Sequence, residues 1–132
     1  ERIKPFIRKT SINRGKYVVS GLNERMRILR YKKGHVFAMH GDGCYERPDC
    51  SECSFRTVMI YLNSGDQIDF DGGNTIFFAS RHETMDELMQ TDVVPKPGRV
   101  LIFDHPMLHE GAMLRSGVKY AIRTDLMFRH MP

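Results

Sequence analysis

No apolar run in this sequence of 132 residues approaches the ~18 positions that a membrane-spanning helix needs. No apolar core follows the basic first residues, as a secretory leader would require. With no membrane partner in view, the chain is expected to be intracellular and cytoplasmic. Cysteines are few: Cys44, Cys50 and Cys53 lie within ten positions of one another. An odd number argues against a disulfide framework and fits reduced thiols. Cys50-Ser51-Glu52-Cys53 has zinc-ligand spacing, with Cys44 as a third candidate. A structural zinc takes four ligands, and there is no second CxxC, so three unpaired loop thiols is the default expectation.

No repeat, low-complexity stretch or linker divides the chain, and its length suits one domain around one core. Residues 1–15 are the least periodic and are expected to form an N-terminal arm, with the domain spanning 16–132. The chain opens at Glu1 rather than Met, which leaves open a fragment or a processed product. Its net charge of +4 is spread from Arg2 to Arg129. Such a charge suits an acidic small molecule, an acidic peptide or a nucleic acid without choosing among them. There is no basic cluster interleaved with aromatics, which argues against nucleic acid. The oligomeric state is not fixed by anything in the sequence.

The prevailing pattern has period two, broken by turn residues. Strands are expected at 16–20, 26–32, 35–40, 55–62, 72–78, 93–95 and 99–103. Leu108–Leu114 and Val118–Phe128 are expected to form a hairpin about Ser116-Gly117. Thr84-Met85-Asp86-Glu87 has capping-box form, which predicts a short helix over Thr84–Gln90. Residues 41–54 read as a loop and 63–69 as a turn region. Roughly eight short strands with little helix predict an all-β sandwich or barrel. Met39, Met59, Met107, Met113 and Met127 are expected to fill the core. His35, His82 and His130 are expected at the surface.

His40-Gly41-Asp42 closes one of these strands, and side chains two apart share a face. His-x-Asp alone is a weak signal. A second imidazole downstream would complete a facial triad of two His and one carboxylate, the arrangement that leaves metal positions open. His109 and His105 are the candidates, and His109 is preferred because it opens a strand. In a jelly roll the early and late strands pair across the mouth, which would bring His109 beside His40 and Asp42. Lys119, deeper in the barrel, would need a carboxylate partner, and a dicarboxylate chelating the metal at its other end would supply one.

Further motifs keep the same order. They are Gly21-Leu22-Asn23-Glu24-Arg25, Arg30-Tyr31-Lys32-Lys33-Gly34, Phe37, Ile60-Tyr61-Leu62-Asn63 and Gly72-Gly73-Asn74-Thr75. Pro97-Gly98-Arg99-x-Leu101-x-Phe103, His109-Glu110-Gly111, Gly117-x-Lys119-Tyr120 and Arg123-Thr124-Asp125 follow. Together, from about residue 21 to 129, they resemble the prolyl 4-hydroxylase-like branch of the Fe(II)/2-oxoglutarate dioxygenases.

The resemblance implies a double-stranded β-helix (a cupin-like jelly roll). It implies His40, Asp42 and His109 as iron ligands and Lys119 as partner of the distal 2-oxoglutarate carboxylate. Tyr61 would assist that contact through its hydroxyl and Tyr31 would line the co-substrate pocket; the rival reading makes each a core tyrosine with a satisfied hydroxyl. Arg123 shares the interior face of Lys119 and would hold co-substrate or substrate; its rival role is an ion pair with Asp125 or Glu110. Tyr45 and Arg47, in the loop after the ligands, would belong to a substrate lid. The implied cofactor set is Fe(II), 2-oxoglutarate and O2, with ascorbate as an accessory. The implied reaction hydroxylates an unactivated C–H, most naturally on a prolyl residue of a protein or peptide, and releases succinate and CO2. Two alternatives remain: the same chemistry on a free amino acid or other small molecule, and a non-catalytic binding module with a metal in the cysteine loop. Relatives usually carry N-terminal helices behind the main sheet, and only about twenty residues precede the resemblance here. The chain is therefore either a fragment or a minimal domain.

Overall fold

The structure, a computed structural model, describes residues 16–80 and 88–131. Ten strands follow in order: β1 Tyr17–Leu22, β2 Arg27–Lys32, β3 Phe37–His40, β4 Glu52–Tyr61, β5 Phe70–Gly72, β6 Thr75–Ser80, β7 Leu88–Val93, β8 Val100–Asp104, β9 His109–Gly111 and β10 Leu114–His130. Among the described residues there is no helix, and so none long and apolar enough to cross a membrane.

The strands form two antiparallel sheets. The larger runs β1-β10-β4-β8, with β2 and β5 also paired to β10; the smaller runs β3-β9-β6-β7. This is the expected double-stranded β-helix. The 17-residue β10 is its spine. Along its length it pairs β5 at Leu114–Gly117, β2 at Val118–Arg123 and β1 at Leu126–His130, while β4 pairs Ala121–Arg129.

Alternation along these strands sorts the side chains. Lys119, Ala121 and Arg123 pair with Tyr31, Leu29 and Arg27 of β2, and this face looks into the space between the sheets. Val58, Leu126 and Phe128 are fully buried in a separate cluster, with Phe55, Ile60 and Ile102 packed against it. Burial at these apolar positions supplies most of the stabilisation of such a fold.

Several expectations change. No hairpin turns at Ser116-Gly117: β10 runs straight through, with a register shift between Leu114 and Ser116. Gly117 sits at φ 76°, and a Cβ there would fall on the backbone of Asp69 and Phe70. The glycine admits a close strand approach rather than a turn. Residues 88–90 lie in β7 rather than a helix, while Thr84–Glu87 fall outside the described residues. So do the arm at 1–15 and His82. Strand β5 takes Phe70 and Asp71, which no expected element covered, and Gly72, which was expected to open the following strand. Of the methionines expected inside, Met127 is buried, whereas Met39, Met107 and Met113 are exposed and Met59 lines a cavity. His35 and His130 are exposed, as expected.

Candidate metal and co-substrate site

His40 ends β3 and is the register partner of His109, which opens β9. Asp42 follows after one glycine, its N–H donating to the His105 carbonyl at 2.7 Å. These three residues are the one group of His, Cys, Asp or Glu, among those described, whose ligand atoms lie within 4.8 Å of one another. His40 Nε2 is 3.4 Å from Asp42 Oδ1, and His109 Nε2 is 3.8 Å from Asp42 Oδ2.

Both rings are oriented from behind. His40 Nδ1 lies 2.7 Å from the Ala38 carbonyl and His109 Nδ1 lies 2.9 Å from the Met107 carbonyl. A carbonyl only accepts, so each Nδ1 donates and each Nε2 keeps a lone pair aimed at the centre. Asp42 accepts from the Thr57 hydroxyl and from Arg123 Nη2 at 3.0 Å. Burial would raise its pKa, but the Thr57 hydrogen bond and the Arg123, His109 and His40 charges outweigh it and hold the carboxyl below its ordinary value. Burial lowers the pKa of His109, against the pull of the Met107 carbonyl and Asp42. Two imidazole Nε2 atoms and one carboxylate make up the donor set of a facial triad that suits Fe(II).

Lys119 lies in the same cavity of about 150 Å³. It is only 4% exposed. Its ammonium donates to the Gly73 carbonyl at 2.6 Å and sits 5.0 Å from the Tyr31 ring and 5.5 Å from the Tyr61 ring. No carboxylate reaches it among the described residues, and burial alone pushes its pKa down to about 8. Gly73 makes room for the stem: a Cβ there would stand 3.3 Å from Lys119 Cδ and 2.9 Å from Leu114 Cδ1.

A family sequence model for the 2OG-Fe(II) oxygenase superfamily matches residues 26–124. The chain belongs to that superfamily. Solved structures agree on the fold. The viral collagen prolyl hydroxylase of Paramecium Bursaria Chlorella virus-1, in its 2OG complex, superposes with a TM-score of 0.61 at 23% identity, over 99% of this chain and 70% of that one. A Pseudomonas putida prolyl-4-hydroxylase gives 0.59 at 21%, over 84% and 55%. A Burkholderia pseudomallei oxidoreductase of the 2OG-Fe(II) oxygenase family gives 0.58 at 18%, over 86% and 43%. This chain thus spans about half the length of the two bacterial proteins. A comparison with curated protein sequences finds no match.

Within this 2OG-Fe(II) oxygenase domain, the remaining sequence candidates are dispersed. Tyr31 lines the cavity. Tyr61 is fully buried, with its hydroxyl 2.6 Å from Thr75 Oγ1, and it is Thr75 that reaches the cavity wall. Arg123 pairs with Asp42 rather than with Asp125 or Glu110. Tyr45 lines an adjoining cavity that shares Arg27 and Arg123 with the first. Arg47 is drawn into a latch, bonded to both Glu24 oxygens at 2.9 and 2.8 Å and to Glu52 at 2.6 Å. His105 is buried behind Asp42, 3.7 Å from Asp125. Cys44, Cys50 and Cys53 are free and do not converge on a metal site.

Sequence reasoning missed Thr57, Thr75 and Arg27. A signal for two of them was present. Thr57 shares the alternation of Tyr61, and Arg27 that of Tyr31, so each faces inward with its neighbour.

Proposed function

We propose that this domain is an Fe(II)- and 2-oxoglutarate-dependent dioxygenase that hydroxylates a prolyl residue of a protein or peptide. The observation that carries the reading is Lys119: a buried ammonium with no carboxylate of its own among the described residues, in one cavity with two imidazoles and a carboxylate aimed at a common centre. His40, Asp42 and His109 would hold the metal. Lys119, with the Tyr31 ring beside it and Thr75 in the same cavity wall, would hold the distal carboxylate of the co-substrate. Bound Fe(II) and 2-oxoglutarate supply the oxidation of an unactivated C–H by O2, with release of succinate and CO2.

The protein's own work is placement. The Ala38 and Met107 carbonyls fix both imidazole tautomers. Thr57 and Arg123 keep Asp42 ionised and turned inward. A carboxylate at position 42 favours hydroxylation, since a Gly or Ala there would leave room for halide. Prolyl specificity is supported by the fold likeness to prolyl hydroxylases, and a peptide is the partner to try first. Ascorbate as an accessory and an intracellular location belong to the same proposal.

Anaerobic titration of the full chain with Fe(II) and then 2-oxoglutarate tests it. A weak visible charge-transfer band should form, and it should be absent in His109→Ala. No band in a folded protein would overturn the proposal.

A further inference from the structure

Arg27 and Arg123 are direct register partners on β2 and β10. Both line the cavity of the His40–Asp42–His109 group, and both line the adjoining cavity of about 210 Å³. They form the boundary between the two spaces. Like charges directly opposite on neighbouring strands are destabilising unless something negative lies between them. Arg123 commits one Nη2 to Asp42. Arg27 has no ion pair among the described residues, and it is an exposed residue of the cavity lining.

The charge balance of the loaded site sharpens the point. A divalent metal would draw on the Asp42 carboxylate, the one acid that now faces Arg123. The two carboxylates of 2-oxoglutarate would be taken by the metal and by Lys119. Arg123 stands four residues along β10 from Lys119, beside the metal-binding group rather than at the buried end. The two guanidiniums would therefore remain as a positive pair facing the second cavity, whose two acids face other groups: Glu24 holds Arg47, and Asp125 lies 3.7 Å from His105 Nε2; Asn23, Arg25, Tyr45 and Thr124 complete its lining. A planar guanidinium binds a carboxylate through paired N–H donors.

On the reading given under Proposed function, we infer that Arg27 and Arg123 form a clamp for a carboxylate of the primary substrate, so that the enzyme acts on an acidic substrate rather than a neutral one. The carboxylate belongs either to the reacting residue or to its neighbour in a peptide, and the two sources can be separated.

The test uses the full chain loaded with Mn(II) and 2-oxoglutarate, which allows binding without turnover. Calorimetry compares two acid–amide pairs: N-acetyl-proline against N-acetyl-prolinamide, and acetyl-Pro-Glu-amide against acetyl-Pro-Gln-amide. At least one acid should bind about tenfold more tightly than its amide, the usual worth of a charge-assisted hydrogen bond. Arg27→Gln should abolish that preference, and Arg27→Lys should retain part of it. The pair that discriminates identifies the source of the carboxylate. The clamp is overturned if neither acid is preferred, or if the preference survives in Arg27→Gln. It is also overturned if Arg27→Gln weakens 2-oxoglutarate instead, because the carboxylate would then be the co-substrate's. A wild-type chain that binds no 2-oxoglutarate would sink the dioxygenase reading itself, a separate result.

Discussion

His40 and His109 face one another as register partners with ring centroids 4.4 Å apart, and each Nδ1 is held by the carbonyl two residues upstream. This pairing would preset two ligand positions for the metal proposed above. His109→Ala should therefore lose Fe(II) affinity by more than the roughly 100-fold seen when only an outer-shell contact is removed. The strand pairing is made by backbone, so the circular dichroism of the variant should be unchanged. Iron titration that matches wild type would show that the group is not the metal seat.

Thr57 acts one step out. Its hydroxyl donates to Asp42 Oδ2, while Arg123 holds the other oxygen. Thr57→Val keeps the shape and removes the donor, leaving the carboxylate free to rotate. Metal affinity should fall by about 10- to 100-fold, and Thr57→Ser should recover most of it. A Thr57→Val dissociation constant equal to wild type would reduce Thr57 to a packing residue.

Gly117 tests the strand topology. At φ 76° with the Asp69 and Phe70 backbone against it, alanine adds both left-handed strain and a clash that backbone cannot relieve. Gly117→Ala should lose at least about 2 kcal/mol in urea denaturation. A hairpin turn at this position would tolerate alanine far better, so a loss of a few tenths would restore the two-strand reading.

The grouping of the candidate ligands was legible because strand alternation and motif order constrain it together: His40, Asp42 and His109 lie side by side, and Lys119 lines the same cavity. Ser116-Gly117 misled because glycine marks a close backbone approach as readily as a turn, and local sequence does not separate the two. The partners of Arg47 and Arg123 were invisible for a different reason. Glu24 lies 23 residues from Arg47 and Asp42 lies 81 from Arg123 in number, and such pairings are set by the crossing of the sheets. Met39 lies on β3, where apolar character does not say which face of a strand is covered, whereas Met107 and Met113 lie in the connections on either side of β9.

Lys119 should be a site where the unloaded protein gives up stability for binding. A lysine pKa pushed from 10.5 to about 8 by burial corresponds to roughly 3 kcal/mol against the charged form at neutral pH. Lys119→Met would remove that penalty and lose one hydrogen bond to Gly73, worth about 1 kcal/mol. The variant should be more stable than wild type by about 2 kcal/mol without ligand, and should bind no 2-oxoglutarate. A destabilised Lys119→Met would mean that the ammonium is compensated within the fold.

The same group sets a pH dependence with a definite sign. Between about pH 8 and 10.5 the unfolded chain keeps the Lys119 proton while the folded, unloaded chain has lost it. Stability from this group therefore rises with pH across that window and is at its lowest below it. On the proposed role of Lys119, co-substrate binding should run the other way, because the distal carboxylate would need the ammonium. The 2-oxoglutarate dissociation constant should be flat below about pH 8 and climb by up to about tenfold per unit above it, with an upward bend that is absent for metal binding alone. Titrations at pH 7 and pH 9 separate the cases: equal affinities at the two would remove Lys119 from the co-substrate site, whereas a weaker complex at pH 9, with iron affinity unchanged, would place its proton in the binding step.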